Sequence, residues 1–190
     1  MAYEAKMMMD YRKQILAEVS TAFLAVEPLQ LQAVATRIHG SRRIFSDGLG
    51  RSALAMRGLA MRLMQLGFQS CVVGETTAPA FGKGDTLVIC TASGSSPILL
   101  YHAQLAKKQG GAVVLITGNR QTPVAELADE IIMIPASNKD SAQAERLSIQ
   151  PMGSLFEQTS QLVCDALVLE LMERFGISTD DMRKRHANME

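Results

Sequence analysis

The chain has 190 residues, of which 47% are hydrophobic, and it carries 19 basic and 19 acidic side chains. This length and composition fit one globular domain that can bury a core without disulfides or structural metals. A neutral chain has no electrostatic reason to bind a nucleic acid or a membrane surface, so we expect neither partner. Any anion must instead be bound by a local arrangement of backbone and side-chain groups.

The three cysteines, Cys71, Cys90 and Cys164, lie in apolar stretches at irregular spacings. An odd, scattered set predicts neither a disulfide framework nor a metal site, and buried thiols are typical of a reducing compartment. The first ten residues mix charged side chains with methionines, and no apolar run reaches the ~18 residues of a membrane span. We therefore expect a cytoplasmic protein.

Hydrophobic periodicity and turn residues predict an alternation of helices and strands. The predicted helices cover 11–26, 28–38, 52–66, 97–109, a short segment opening at Thr122 and Pro123, 154–175, and a last segment from Ser178. The predicted strands cover 43–47, 69–73, 85–91, 112–117 and 130–135. Gly67 and Gly176 stand where glycines commonly end helices.

Several predicted strands are apolar on both faces, which is typical of a parallel sheet covered on both sides. We expect an α/β fold, a three-layer α-β-α sandwich with a five-stranded parallel sheet. No linker or repeat divides the sequence, so we expect a single domain over 1–190, with N-terminal helices at about 8–38 and a helical tail at about 178–190. Ligands of such sheets bind beyond the carboxyl ends of the strands, where three segments stand out.

The first segment follows the first strand and opens a helix, with Gly48, Gly50, Arg51 and Ser52 in succession around Leu49. Glycines let a backbone approach a ligand, and a helix N-terminus favours an anion. The spacing also matches the dinucleotide fingerprint, with Glu75 near the end of the second strand as a ribose-binding acid. A tight turn with no ligand is a third interpretation.

The second segment, 91–97, lies between a buried strand and a helix start. It carries four hydroxyl side chains, Thr91, Ser93, Ser95 and Ser96, before Pro97. Because proline suits the first helical position, Ser96 is the predicted N-cap. Capping explains Ser96 but not the cluster, whereas hydroxyls and free backbone N–H groups together form a phosphate cradle.

The third segment begins the longest helix. Ser154 and Glu157 match a capping box, in which the glutamate reaches back to the N-cap amide. The alternative is that Glu157 is a general base, able to take a proton from carbon beside a carbonyl. His39 and His102 are predicted structural or surface residues, and His186 near the chain end has the features of a solvated tail residue.

Taken together, these segments resemble the sugar isomerase (SIS) domain family. The serine-rich loop resembles its phosphate loop, and three further segments are similar to the 6-phospho-3-hexuloisomerases, namely 72–77, 148–158 and 185–188. The resemblance extends from about residue 12 to residue 190. It implies a flavodoxin-like SIS fold and the interconversion of D-arabino-hex-3-ulose 6-phosphate with D-fructose 6-phosphate.

The resemblance also implies a homotetramer with active sites between subunits, and a functional link to 3-hexulose-6-phosphate synthase in the ribulose monophosphate pathway of formaldehyde assimilation. By this carry-over, Glu157 is the isomerase base and His186 is a histidine supplied by a neighbouring subunit. The implied substrate-binding residues are Gly48, Gly50, Arg51, Ser52, Glu75, Thr91, Ser93, Ser95 and Ser96.

The sequence departs from the family pattern at the sugar end. The family loop reads Ser-Gly-Ser-Gly-Glu-Thr, whereas Ala92 and Ser95 stand here in place of its first glycine and its glutamate, and Leu49 replaces a small residue. The hydroxyl positions are kept, so these changes bear on the choice of sugar more than on phosphate binding.

Carbonyl transfer through an enediol needs a base and a proton shuttle, and neither a metal nor a redox cofactor, so no cofactor is expected. Isomerisation of another sugar phosphate stays open. So do two other classes, a non-catalytic SIS module that binds sugar phosphates and a nicotinamide-dependent oxidoreductase.

Overall fold

The computed structural model describes residues 10–136 and 148–189. The helices are α1 (Tyr11–Leu24), α2 (Pro28–His39), α3 (Gly50–Leu66), α4 (Pro97–Lys108), α5 (Pro123–Leu127), α6 (Ser154–Phe175) and α7 (Thr179–Lys184). The strands are β1 (Ile44–Gly48), β2 (Ser70–Val72), β3 (Thr86–Thr91), β4 (Ala112–Thr117) and β5 (Glu130–Met133). The predicted elements are confirmed to within two residues at their ends; residues 8, 9 and 190 of the predicted terminal helices lie outside the described ranges.

Local chemistry explains several of these ends. Thr122 accepts a hydrogen bond from the Ala125 amide and so caps α5, as predicted. Gly67 adopts a φ of 100°, and the next amide, of Phe68, donates to the Leu63 carbonyl at 3.0 Å. Only glycine adopts this left-handed conformation without strain, which is why α3 ends there.

The five strands form one parallel sheet in the order β2-β1-β3-β4-β5. The chain moves from β1 to β2 on one side and from β3 to β4 on the other. This is the flavodoxin-like order, and its switch point lies between β1 and β3. The register pairs Gly48 with Cys90 and Thr91 with Thr117, so the loops after β1 and β3 leave the sheet side by side.

Two apolar cores cover the two faces of the sheet. Alternate residues of β3 belong to different cores, with Val88 and Cys90 on one side and Leu87 and Ile89 on the other. The first core includes side chains of α1, α2, α3 and α6, and the second includes those of α4 and α5. The predicted three-layer sandwich is therefore confirmed. No helix in the described ranges is both long and apolar enough to cross a membrane.

Candidate active site

The crevice beyond the carboxyl ends of β1 and β3 is where this topology places ligands. The loop after β1 leads directly into α3 and the loop after β3 leads into α4. Both helices therefore point their N-termini at the same crevice. Each N-terminus leaves backbone N–H groups without an intrahelical acceptor, which suits an anionic ligand.

The two glycines of the first loop have different roles. A Cβ on Gly48 would lie 3.1 Å from the Ala53 nitrogen and 3.2 Å from the Cys90 carbonyl oxygen, so this position must stay small for α3 to approach β3. Gly50 has a φ of +57° and open space around it. The first glycine serves packing, and the second leaves room beside the α3 N-terminus.

Ser52 lies on the inner side of α3 and is only 8% exposed. Burial raises the pKa of the neighbouring Cys90 thiol to about 11, hydrogen bonds with Ser160 and Ser52 act in the opposite direction, and the charge of Glu157 raises it further. The Ser52 hydroxyl therefore lies beside the buried Cys90 thiol. Cys90 and Cys164 are buried, as predicted, whereas Cys71 is only half-buried.

Hydrogen bonds within the second loop hold its shape. Thr91 Oγ1 accepts from the Gly94 amide at 3.3 Å, and the Ser93 and Ser95 hydroxyls are 2.8 Å apart. Gly94 has a φ of +65°, and a Cβ there would come within 2.6 Å of the Thr122 side chain. The loop therefore packs against Thr122, the N-cap of α5, and hydrogen bonds within the loop define its conformation.

Ser96 occupies the N-cap position of α4, as predicted, but its side chain makes no capping hydrogen bond. The expectation that its hydroxyl caps the helix is wrong. Because Pro97 lacks an N–H and presets the helical φ, α4 can start without such a cap. The Ser96 hydroxyl therefore remains available to a ligand.

The capping box predicted at the start of α6 is also wrong. The N-cap is Gly153, with no side-chain capping bond, and Ser154 is already the first helical residue. Arg51 binds both side chains instead. Its Nη1 lies 2.9 Å from Glu157 Oε2 and donates a hydrogen bond to Ser154 Oγ at 3.2 Å. The Glu157 carboxylate is thereby held beside the first loop.

Glu157 and Arg51 also line a cleft of about 470 Å³ between α1, α3 and α6, which we call the helix cleft. Its other walls are largely apolar and include the exposed side chains of Leu16 and Leu54, together with Leu162. The Glu157 side chain is 16% exposed. The carboxylate is therefore accessible at one end of an apolar surface.

Two predicted site residues lie apart from Glu157. Glu75 forms an ion pair with Arg57, further along α3. His186 is exposed after α7, and its ring Nδ1 lies 2.8 Å from the Ala187 carbonyl oxygen. The preceding Arg185 donates to the Gln65 carbonyl at 3.3 Å, near the C-terminus of α3.

The length of α3 separates His186 from Glu157 within one chain. Arg51 lies in the first turn of α3 and Gln65 in the last. At 1.5 Å per residue, the fourteen steps between them correspond to about 21 Å. His186 of this chain therefore lies at the opposite end of α3 from the Arg51–Glu157 pair.

The sequence did not predict a partly buried pair at the switch point, formed by Asp47 and His102. Asp47, at the end of β1, is 6% exposed; its Oδ2 lies 2.7 Å from His102 Nδ1 and its Oδ1 accepts from the Gly48 amide at 2.8 Å. His102 thus has a structural role, joining α4 to the first loop. An aspartate ending an apolar strand signals that some partner is needed, but the sequence does not say which.

The described residues contain no cluster of three or more His, Cys, Asp or Glu side chains that could hold a metal ion. The groups at the crevice are instead two helix N-termini, loop hydroxyls, the Arg51 guanidinium and the Glu157 carboxylate. This set can bind a phosphorylated, hydroxyl-rich molecule and exchange a proton with it.

The parallel sheet, its strand order and the polar crevice define a flavodoxin-like α/β protein. The profile of the SIS domain matches residues 37–162. A 3-hexulose-6-phosphate isomerase of Bacillus subtilis is 39% identical over 181 residues, covering 95% of this chain and 98% of the relative. One of Mycobacterium gastri is 37% identical, covering 91% and 86% of the two chains. The chain belongs to the SIS domain family.

A solved structure supports the same assignment. A Methanococcus jannaschii protein, whose crystal structure is described as inferring a function of 3-hexulose-6-phosphate isomerase, superimposes with a TM-score of 0.81 at 30% identity. The match covers 96% of this chain and 100% of that chain. The resemblance to the SIS family and its fold is therefore confirmed.

Proposed function

We propose that this protein is a sugar-phosphate isomerase that interconverts D-arabino-hex-3-ulose 6-phosphate and D-fructose 6-phosphate. The observation that carries the proposal is the position of Glu157. Its carboxylate is not used to cap α6 but is held by Arg51 at the crevice. The full-length similarity to proteins named 3-hexulose-6-phosphate isomerase supports the choice of substrate.

In the proposed mechanism, Glu157 takes the proton from carbon 2 of the 3-ketose, the electron pair forms the carbon 2–carbon 3 double bond of an enediolate, and the carbonyl electron pair moves to oxygen 3. Glu157 then returns the proton to carbon 3, while the hydroxyl proton on oxygen 2 moves to oxygen 3 and leaves a carbonyl at carbon 2. Arg51, which is paired with Glu157, would stabilise charge developing on these oxygens. Positioned acid–base catalysis of this kind contributes about 10²–10⁴-fold.

The second loop would hold the phosphate. Thr91, Ser93 and Ser96 offer hydroxyls beside the N-terminus of α4, and Ser95 completes the cluster. Because the phosphate is remote from carbons 2 and 3, this grip would orient the substrate without touching the reacting atoms. The amides of Gly50 and Ser52 would face the sugar, with Gly48 keeping the first loop close to the sheet and Glu75 at the rim.

We further propose that His186 shuttles the oxygen proton in the site of a neighbouring subunit. The separation of about 21 Å along α3 within one chain supports an arrangement between subunits. The exposed apolar side chains beside the helix cleft, such as Leu16 and Leu54, support association of copies over this face. A homotetramer, as the family resemblance implies, would bring His186 of one subunit to Glu157 of another and would cover this apolar face.

The cellular setting follows from the same proposal. The three cysteines form no disulfides, which supports a cytoplasmic location. A 3-hexulose 6-phosphate substrate requires an enzyme that makes it, so the functional link to 3-hexulose-6-phosphate synthase is part of the proposal.

Ligand-dependent melting tests the proposed function. Fructose 6-phosphate at about 100 times its Kd should stabilise the protein by about 2.7 kcal/mol and raise Tm by about 5–10 °C. Fructose without phosphate and NAD should leave Tm unchanged. A shift with NAD alone contradicts the isomerase and favours the dinucleotide interpretation of the first loop.

A turnover assay on the same samples separates the remaining classes. Conversion of hexulose 6-phosphate to fructose 6-phosphate is expected. Binding without turnover across a panel of sugar phosphates would instead identify a non-catalytic binding module, and turnover of a different sugar phosphate would correct the substrate alone.

Removing the loop hydroxyls should weaken binding of the phosphorylated sugar. Each hydrogen bond to a charged group contributes about 1.5–3 kcal/mol, so Ser93→Ala and Ser96→Ala should each raise the Kd for fructose 6-phosphate about 10- to 100-fold. Calorimetric titration measures this change. Because Ser96 makes no capping hydrogen bond, Ser96→Ala should keep the wild-type Tm without ligand.

The exposed Ser20→Ala on α1 is the matched control and should change neither Kd nor Tm. Normal affinity in both loop variants would place the phosphate elsewhere.

A further inference from the structure

A carboxylate on the N-terminal helix binds the segment that leads into α6. Glu18 of α1 accepts hydrogen bonds from Ser148 Oγ at 2.5 Å, from the Ile149 amide at 2.8 Å and from Gln150 Nε2 at 3.1 Å. Ser148 Oγ also accepts from the Gln150 amide at 2.9 Å. One side chain thus fixes three consecutive residues that are distant from it in sequence.

These hydrogen bonds stabilise the ionised form of the Glu18 carboxylate. Partial burial alone raises the pKa of this carboxyl, but the hydrogen bonds from Ser148, Ile149 and Gln150 outweigh it and hold the pKa below its ordinary value of 4.5. Hydrogen bonds to an ionised acceptor are about twice as strong as those between neutral groups. An uncharged replacement at Glu18 would therefore weaken all three contacts together.

Between the residues bound by Glu18 and the start of α6, Pro151 and Met152 are both exposed. Met152 is 73% exposed and adopts a φ of +58°, which is strained for a residue other than glycine. Gly153 then starts α6 without a side-chain cap. Only four residues after this N-cap comes Glu157, so a shift of the segment would move the start of α6 and its carboxylate.

We propose that Glu18 is a positioning residue that sets the start of α6 and thereby the placement of Glu157 against Arg51. The inference rests on the proposed function of Glu157 and goes beyond it, because it assigns a role to a residue outside the crevice. It also assigns separate roles within the 148–158 segment. Ser148 and Gln150 bind Glu18, and Glu157 is the proposed base.

The effect on catalysis should appear in kcat. A misplacement of about 1 Å can cost about 100-fold in rate, so Glu18→Gln should lower kcat about 10- to 100-fold. KM should change little, because the phosphate loop belongs to β3 and α4 rather than to α6. Ser148→Ala, which removes one of the three donors, should lower kcat less in the same direction.

The control is Glu27→Gln, the same charge change at an exposed glutamate whose side chain makes no capping bond at α2. It should leave kcat and KM unchanged. A variant Glu18→Gln/Glu157→Gln should be no slower than Glu157→Gln alone, since the positioned group is already gone. The positioning role would be overturned if the two substitutions lowered kcat by fully additive amounts. It would also be overturned if folded Glu18→Gln had a lower Tm but a normal kcat.

Hydrogen exchange provides a readout that does not depend on activity. In Glu18→Gln, the amides of 148–150 and of the first turn of α6 should exchange faster, while those of β3 and α4 keep wild-type protection. Unchanged exchange at the start of α6 would refute the anchoring even if the proposed isomerase activity fails. Conversely, normal turnover by Glu157→Gln with altered exchange in Glu18→Gln would reject the base and keep the anchor.

Discussion

Glu157→Gln is expected to lower turnover by about 10²–10⁴-fold while sugar-phosphate binding persists, because glutamine cannot accept the carbon-bound proton. The start of α6 should survive, since the N-cap is Gly153 and no side chain caps it. The lost ion pair with Arg51 should cost little stability because the Arg51 side chain is 55% exposed. Steady-state kinetics and calorimetric binding of fructose 6-phosphate measure the two effects separately.

Glu173→Gln is a matched control on the same helix. Glu173 is exposed near the C-terminus of α6, far from the crevice, so its replacement should leave kcat unchanged. Near-normal kcat in folded Glu157→Gln would remove Glu157 from the mechanism and leave it as the ion-pair partner of Arg51.

Mixing two inactive variants should restore activity if the sites lie between subunits. Glu157→Gln retains His186, and His186→Ala retains Glu157, so some sites of a hybrid carry both intact residues. Random exchange of subunits in equal amounts would complete about one quarter of the sites. Turnover measured before and after exchange, with hybrid formation verified by native mass spectrometry, tests this expectation.

The control replaces His186→Ala in the mixture by the double variant Glu157→Gln/His186→Ala. No hybrid of Glu157→Gln with the double variant has an intact glutamate, so its activity should stay at the level of the separate proteins. Verified exchange without recovery in the first mixture would show that His186 does not complement Glu157 across subunits.

The layers of the fold could be predicted because their signals are local. Continuous apolar runs such as 112–117 indicate strands buried on both faces, and Pro97, Pro123 and Gly67 mark helix ends through their own backbone restrictions. The loops after β1 and β3 were predicted as site segments from equally local signals, their glycines and hydroxyl side chains. The partners of Asp47 and Glu18 were missed, since each is defined by a contact with an element distant in sequence.

Two copies of one sequence pattern had different outcomes. Ser178 and Asp181 form a full capping box at the start of α7, where both side chains are exposed and bond to each other and to the nearby backbone. Ser154 and Glu157 have a similar spacing, yet Arg51 binds both and no box forms. The local pattern allows a capping box at the start of both helices, and the competing guanidinium of Arg51 prevents it at α6.

The sequence by itself determined the order of helices and strands, the positions of the loops after β1 and β3 and the family to which the chain belongs, because these depend on periodicity, turn chemistry and short motifs. The tertiary structure alone decided that Arg51 frees Glu157 from capping, that the Ser52 hydroxyl faces Cys90, and that Glu18 anchors 148–150. Each of these is a contact between elements brought together by packing on the sheet, and spacing along the chain does not encode which distant side chains will meet.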